Sequence, residues 1–483
     1  MKHYSLAPVR AFARYIVCAL LIFVGMVSAQ APPDRNAERE FVQRVSADSA
    51  KRYVRELAAF GPRMGGTDSN RRAALYVHQK FQSWSLPSTI VDDPEKLVHE
   101  ERAWRLQVII PEKYDFSRPW PYGFSPSTAG QQAEVVSAAS TKNVKGKALL
   151  TEAIVRSQQY DEWASAGAVA ILSDGPGRDG DFTEWAMISE LPSRLFNPIP
   201  VFAISRNDGN RLRAFMSKGI TPRIAFELAS EIYKSRPQTV IAKISGRSGD
   251  KRFIYCAHGD SDSGGPGADD NASGVAVVLE TARVLQALIT ENKLPAPKHT
   301  IEFIVWGSEY FSTNAYIARH AEHLERISGV INFDQAGAGT KHQAIYFESN
   351  EVPWNETLLR TLDAIGAAYC GEAGMWRAYT TNPSQGGTDA YAFLPPAFLG
   401  VLQSPHRIPA TTIYTAAWDR PSILTQTPGW SSACWPDNTP LEIDYSRYYH
   451  SSGDIPEWTT DREPWRMAWA ATAGGAALLR LLW

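Results

Sequence analysis

Cysteine is scarce, with four in 483 residues, which excludes a small fold stapled by disulfides. A dominant charge is missing too. Lysine and arginine number 49 against 51 aspartates and glutamates, for a formal net charge of −2. That balance gives no footprint for nucleic acid. No internal repeat is present, so solenoids and propellers are excluded. Long apolar runs are absent as well. Tyr15 to Val27 and Trp465 to Leu482 are the longest candidates, and both are short for a bilayer span. What remains is a chain long enough for two domains with sizeable cores.

The N-terminus carries Lys2, Arg10 and Arg14, then the apolar run, then Val27-Ser-Ala29. A charged start, an apolar middle and a small-x-small end read as a secretory signal peptide over residues 1–29, with an uncleaved anchor as the alternative. Its loss leaves a mildly acidic, exported chain with no membrane segment. Cys256, Cys370 and Cys434 then remain. Export permits a Cys370–Cys434 disulfide, while Cys256 sits in an apolar strand and reads as a buried small hydrophobe.

Taken in order, Ala31 to Asn36 is a linker and Glu38 to Phe60 a helix stopped by Gly61 and Pro62. A second amphipathic helix covers Ser69 to Trp84. Strands follow at Ser88–Val91 and Trp104–Ile110. From about Pro119 the pattern turns to short strands, among them Ala168 to Leu172 and Ile199 to Ser205. From Gln238 strands and helices alternate, which predicts a mainly parallel sheet covered by helices. Trp465–Leu482 reads as the last helix, packed on that sheet.

The chemistry gathers in Phe253-Ile-Tyr-Cys-Ala-His-Gly-Asp260 and the glycine-rich stretch that follows, through Asp269, Asp270 and Asn271 to a helix beginning near Val275. A strand, a loop and a helix start bring an imidazole and several carboxylates to the carboxyl edge of a sheet, where α/β proteins bind ligands. Imidazole with carboxylate is ligand chemistry for zinc, and Asp260 could orient His258. A helix-capping loop is the plainer alternative.

Taken with later motifs, this chain resembles the zinc-dependent exopeptidases of peptidase family twenty-eight, the bacterial leucyl aminopeptidase and carboxypeptidase Q type. The motifs include Phe60-Gly-Pro-Arg63, Val330-Ile-Asn-Phe-Asp334 and Tyr448-Tyr-His-Ser-Ser-Gly-Asp454. The resemblance implies an α/β, phosphorylase/hydrolase-like fold with a mixed, mainly parallel sheet, built from residues 36–115 and 236–483. Residues 116–235 resemble an inserted, β-rich protease-associated domain, through Ala166-Gly-Ala-Val-Ala-Ile-Leu-Ser173 and Pro200-Val-Phe-Ala-Ile-Ser205. The family pattern implies that Asp270 bridges two zinc ions, His258 and Asp334 complete one site, and His450 belongs to the other. Asp454 is a further neighbour.

One position departs from the family. Two consecutive glutamates are expected after a strand, and this chain has Glu309-Tyr310. Glu309 matches the general base. Tyr310 replaces a metal-binding carboxylate with a neutral phenol, a poor substitute. It reads either as a hydroxyl donor to the oxyanion or as a packed aromatic, and one or two zinc ions per chain remain open. Asp389, in Gln385-Gly-Gly-Thr-Asp389, reads as a contact to the substrate amine or as a helix cap. The aromatic-rich stretch Trp418 to Trp435 reads as a pocket wall or a surface loop. The function implied is an exported aminopeptidase, secreted or periplasmic, acting on a peptide or dipeptide. The alternatives are a carboxypeptidase or dipeptidase of the same family, or an impaired relative that binds peptides. Oligomeric state is left open.

Overall fold

The computed structural model describes residues 35–140, 143–175, 197–261, 265–338, 345–350, 353–370, 376–381, 388–393, 407–415, 431–432, 448 and 450–483. The proposed signal peptide, Cys434 and most of 418–435 lie outside the described residues.

Three helices open the described chain: α1 (Arg35–Arg44), α2 (Ala47–Ala58) and α3 (Asp68–Ser83). The single helix expected over Glu38 to Phe60 is two, broken at Ser46. Ser46 is extended and its hydroxyl caps α2 by accepting from Ser49 N–H. Its own N–H donates to Glu280 Oε1 at 2.7 Å. That acceptor comes from a distant helix, while Ser46, a cap-type residue, is the local mark of the break. α2 then buries Ala50, Tyr53, Val54, Leu57 and Ala58, an i, i+3, i+4 stripe facing the core.

Two sheets follow. Strand β1 (Ser88–Asp92) belongs to the larger one. Next come β2 (Lys96–Ile110), β3 (Tyr114–Asp115), β4 (Trp120–Pro121), β5 (Thr128–Ser137), β6 (Lys147–Thr151), helix α4 (Ser157–Ser165), β7 (Ala170–Ser173), β8 (Val201–Ala203), helix α5 (Arg206–Ser217) and β9 (Arg223–Ser235). These strands form an eight-stranded sheet in the order β3-β2-β9-β5-β6-β7-β8-β4. It has apolar clusters of its own, one around Val108, Val135 and Phe226 and another around Leu149, Tyr160 and Val201. Strands β2 and β3 lie before residue 116 in sequence yet belong to this sheet, because β2 pairs along its length with β9.

The larger sheet takes up the rest: β10 (Gln238–Ile244), β11 (Arg252–His258), helix α6 (Gly274–Thr290), β12 (Thr300–Trp306), helix α7 (Phe311–Arg319), β13 (Ile327–Phe333), β14 (Ile345–Asn350), helix α8 (Glu356–Tyr369), β15 (Trp376–Thr381), β16 (Ala410–Tyr414), β17 (Ser431–Ser432) and helix α9 (Trp465–Leu482). Its order is β1-β10-β12-β11-β13-β16-β14-β15-β17. The sheet is mixed. Strands β12, β11, β13 and β16 run parallel through the centre, and β10 and β14 are antiparallel to their central neighbours. Parallel strands covered on both faces carry continuous apolar runs, as Phe253 to Ala257 and Ile301 to Trp306 do; all of these except Glu302 are apolar, and all are buried.

α9 lies against this sheet and against α1, α2, α6 and α8. Gly474 and Gly475 make the approach possible. A Cβ at Gly474 would stand 2.5 Å from Phe333 and Tyr255, and one at Gly475 2.1 Å from Phe41. Beside them Glu38 in α1 is buried and accepts from Arg480 Nε and Nη2 at 2.7 and 2.8 Å and from the Tyr369 hydroxyl at 2.7 Å. Burial pushes its carboxyl up, but the bonds from Arg480 and Tyr369 outweigh that and hold it below the usual range. An acid with a depressed folded-state pKa stabilises above its unfolded value, near about 4.3, and loses that contribution as pH falls. Glu38→Gln is therefore expected to cost about 1–3 kcal/mol near neutral pH. In thermal melts against pH, the gap to the unsubstituted protein should close in acid.

Candidate metal centre

The carboxyl ends of three adjacent parallel strands converge: β11 ends on His258, β12 leads through Gly307-Ser308 to Glu309, and β13 leads directly to Asp334. A tight turn over Ala268–Ser273 delivers Asp270 ahead of α6. The Tyr448–Asp454 stretch delivers His450, whose φ of 49° is in the left-handed region.

Asp270 stands between the two imidazoles. His258 Nε2 is 3.4 Å from its Oδ1, and His450 Nε2 is 2.9 Å from its Oδ2. Asp334 Oδ1 is 3.6 Å from the same His258 nitrogen. The ligand atoms of His258, Glu309 and Asp334 lie within 4.8 Å of one another. His258 Nε2 and Asp334 Oδ1 are buried and have no hydrogen-bond partner among the described residues. Buried polar atoms left without partners cost stability unless something binds them. One neutral-imidazole nitrogen facing hard carboxylate oxygens is the donor set zinc takes. The residues fit the ion that the sequence motifs imply.

The neighbours fix this geometry. Asp260 Oδ1 lies 3.2 Å from His258 Nδ1 and accepts from Glu309 N–H at 2.9 Å. One carboxylate thus holds the histidine and the glutamate in register. Asp454 accepts from the N–H groups of Asp269 and Asp270 at 2.9 and 3.0 Å, fixing the turn that carries Asp270. Asp269 Oδ1 accepts from Gly337 and Ala338 N–H, both at 2.8 Å. Asn271 donates to Phe333 O at 2.9 Å. The residues on either side of Asp270 therefore tie it to the end of β13, where Asp334 sits. No pattern in the sequence marks Asp269 or Asn271 for this work beyond their adjacency to Asp270.

Tyr310 has a φ of 53°, an uncommon conformation for a bulky residue. Its N–H donates to Asp389 Oδ1 at 3.0 Å, and the Thr313 hydroxyl donates to the same oxygen. Asp389 thus caps the start of α7 rather than the turn it begins. The Tyr310 ring packs against the apolar cluster that includes Trp306, Tyr316 and Phe393. No second carboxylate stands at this position in the chain.

Crowded carboxylates set the electrostatics. Burial pushes the Glu309 carboxyl well above the usual range; His258 opposes this, and Asp334 and Asp389 add to it. Burial likewise pushes Asp454 and Asp389 up to about 7. His258 is pulled down by burial, but Glu309, Asp334 and Asp260 outweigh it and hold the imidazole well above its ordinary value. Asp270 is pushed up by burial and held low by His450 and His258. Such opposed carboxylates and imidazoles in one cleft are the electrostatic signature of a functional site.

The mixed sheet and its strand-edge cluster define a hydrolase-type α/β fold. Solved proteins share it: the M28 peptidase precursor of Shewanella amazonensis has a TM-score of 0.64 at 20% identity, covering 92% of this chain and 96% of that one. BSAP, a zinc aminopeptidase from Bacillus subtilis, has a TM-score of 0.59 at 19% identity, covering 91% and 95%. Residues 239–473 of the chain match the model of Peptidase family M28. Over 240 residues it is 29% identical to a probable lipoprotein aminopeptidase, LpqL, of Mycobacterium tuberculosis, covering 48% of this chain and 43% of that protein. It is 25% identical to leucine aminopeptidase 2 of Trichophyton rubrum, covering 46% and 45%. The chain spans less than half the length of these relatives.

Proposed function

We propose that the protein is an exported, zinc-dependent exopeptidase that releases N-terminal amino acids from peptides. The observation that carries this reading is Glu309 held beside His258 and Asp334 at the ends of three parallel strands. His258, Asp270 and Asp334 would hold one ion, and His450 with Asp270 is the remnant of a second position. Zinc bound there supplies Lewis acidity and a water acidified to a pKa of about 7. Glu309 takes a proton from the attacking water and returns it to the departing amine nitrogen. Asp260 keeps His258 turned toward the ion and Glu309 in reach. The two aminopeptidase names among the relatives favour the amino end of the substrate, and the lipoprotein name among them supports export. Within this reading residues 116–235, with β2 and β3 joined to their sheet, are a protease-associated insert, and Asp389 supports the substrate amine through the turn at Tyr310.

The test is chelator-sensitive release of a chromophore from an aminoacyl anilide by the purified mature protein, with bound zinc counted by elemental mass spectrometry. Hydrolysis that stops on chelation and returns with zinc supports the reading. Neither zinc nor hydrolysis, after reloading, leaves a peptide-binding protein on a peptidase fold, the reading that Tyr310 favours. Release from a carboxyl-blocked substrate but not an amino-blocked one separates aminopeptidase from carboxypeptidase.

Tyr310 is assigned the oxyanion. A strained backbone held by Asp389 marks a position kept for use. Tyr310→Phe is expected to lower turnover about 100-fold, the loss of one oxyanion donor, with zinc content unchanged. Undiminished turnover would return the tyrosine to packing alone.

A further inference from the structure

Arg63, in the turn between α2 and α3, is completely buried. Its guanidinium is spent on backbone carbonyls. Nε donates to Gly259 O at 3.2 Å, Nη2 to Gly267 O at 2.9 Å, and Nη1 to Pro266 O and, at 3.4 Å, to Leu57 O. Its own N–H donates to Ser261 Oγ at 3.0 Å. Gly259 directly follows His258, and Gly267 stands just before the Asp269-Asp270 turn. One planar group therefore fastens both flanks of the stretch that joins the two residues.

The backbone there leaves no slack. Gly267 has a φ of +56°, and a Cβ on it would lie 2.3 Å from the Ser261 Cβ. A buried cation is costly without compensation. Here the negative charges of Asp454, Asp260 and Asp270 act on it from nearby. Burial lowers the Arg63 pKa to about 10 while those carboxylates hold it up, so the group is a cation at neutral pH.

We infer that Arg63 is a positioning residue for the metal centre: it sets the separation of His258 and Asp270 through Gly259 and Gly267. The inference rests on the zinc reading above. A lysine retains the charge but cannot reach carbonyls on both flanks with one rigid fork. Groups that orient metal ligands typically change affinity 10- to 100-fold when removed.

The experiment is zinc affinity by competition with a chromophoric chelator, alongside thermal melts with and without zinc, for the full mature protein and for Arg63→Lys and Arg63→Met. The lysine variant is expected to bind zinc about 10-fold more weakly and the methionine variant about 100-fold, each with a smaller zinc-induced rise in Tm. If melting falls equally with and without zinc while affinity stays within about 2-fold of the parent, Arg63 is only a packing residue and the inference is overturned. Should Arg63→Met not fold, Arg63→Lys decides alone. A parent protein that binds no zinc overturns the zinc reading first, and the role of Arg63 with it.

Discussion

Glu309→Gln is expected to reduce turnover by about 10²- to 10⁴-fold, the usual contribution of a positioned general base, while zinc content stays at the parent level. The second half of that expectation is the discriminating one. Glu309 lies close enough to His258 and Asp334 to serve as a third ligand, so proximity alone does not separate base from ligand. A glutamine keeps the shape and one oxygen but cannot accept the water's proton. If Glu309 is the base, the variant holds zinc, binds substrate with little change in KM and fails in kcat. If it is a ligand, chelator competition shows weaker zinc binding together with the lost turnover. Stability supplies a further check. Burial, with Asp334, Asp389 and Asp270 beside it, already disfavours the ionised form of Glu309, so a neutral amide costs the metal-free fold little and that variant should melt no lower than the parent. A sharply lower Tm would mean that the carboxylate is structural.

The ligand set is legible in the sequence chiefly through the resemblance; patterning alone marks His258 and Asp334, where an apolar strand stops abruptly at a polar residue. His258 after Phe253–Ala257 and Asp334 after Val330–Phe333 are read this way, and the structure brings both beside Asp270. Helix α9 is likewise found at the bounds its apolar pattern predicts. What stays hidden depends on distant partners. The break at Ser46 has a local cap in its own hydroxyl, but the acceptor of its N–H, Glu280, is far off in sequence. β2 begins at Lys96, earlier than the strand read from Trp104, because His99-Glu-Glu-Arg102 lacks the apolar alternation of a strand. That polar stretch is extended because His99, Glu100 and Glu101 pair with Ile232, Glu231 and Ser230 of β9. The sequence places Asp454 only as a further neighbour in the motif that carries His450. Its bonds to the Asp269 and Asp270 backbone require the turn to be folded first. Arg63 belongs to a legible motif, but its partners are carbonyl groups, which no sequence displays.

Asp270→Ala is expected to have the widest consequence, because among the described residues Asp270 is the carboxylate that reaches both imidazoles. Its two oxygens are divided between His258 and His450, so whichever of one or two ions the site takes, the aspartate contributes to it. Alanine removes a ligand and also the negative charge that makes a cation welcome between two histidines. Zinc affinity should fall by well over about 100-fold, beyond the range set by groups that merely orient ligands, and anilide hydrolysis should fall to background. Comparison with His450→Ala gives the result its meaning. With one ion held by His258, Asp270 and Asp334, His450→Ala keeps about one zinc per chain and part of its turnover, whereas Asp270→Ala keeps neither. With two ions sharing Asp270, His450→Ala drops from two zinc ions to one. Elemental analysis of the three proteins after dialysis and reloading distinguishes these cases. An Asp270→Ala protein with full zinc would remove this residue from the site and move the centre to Glu309, His258 and Asp334, where Glu309 could no longer serve as a free base.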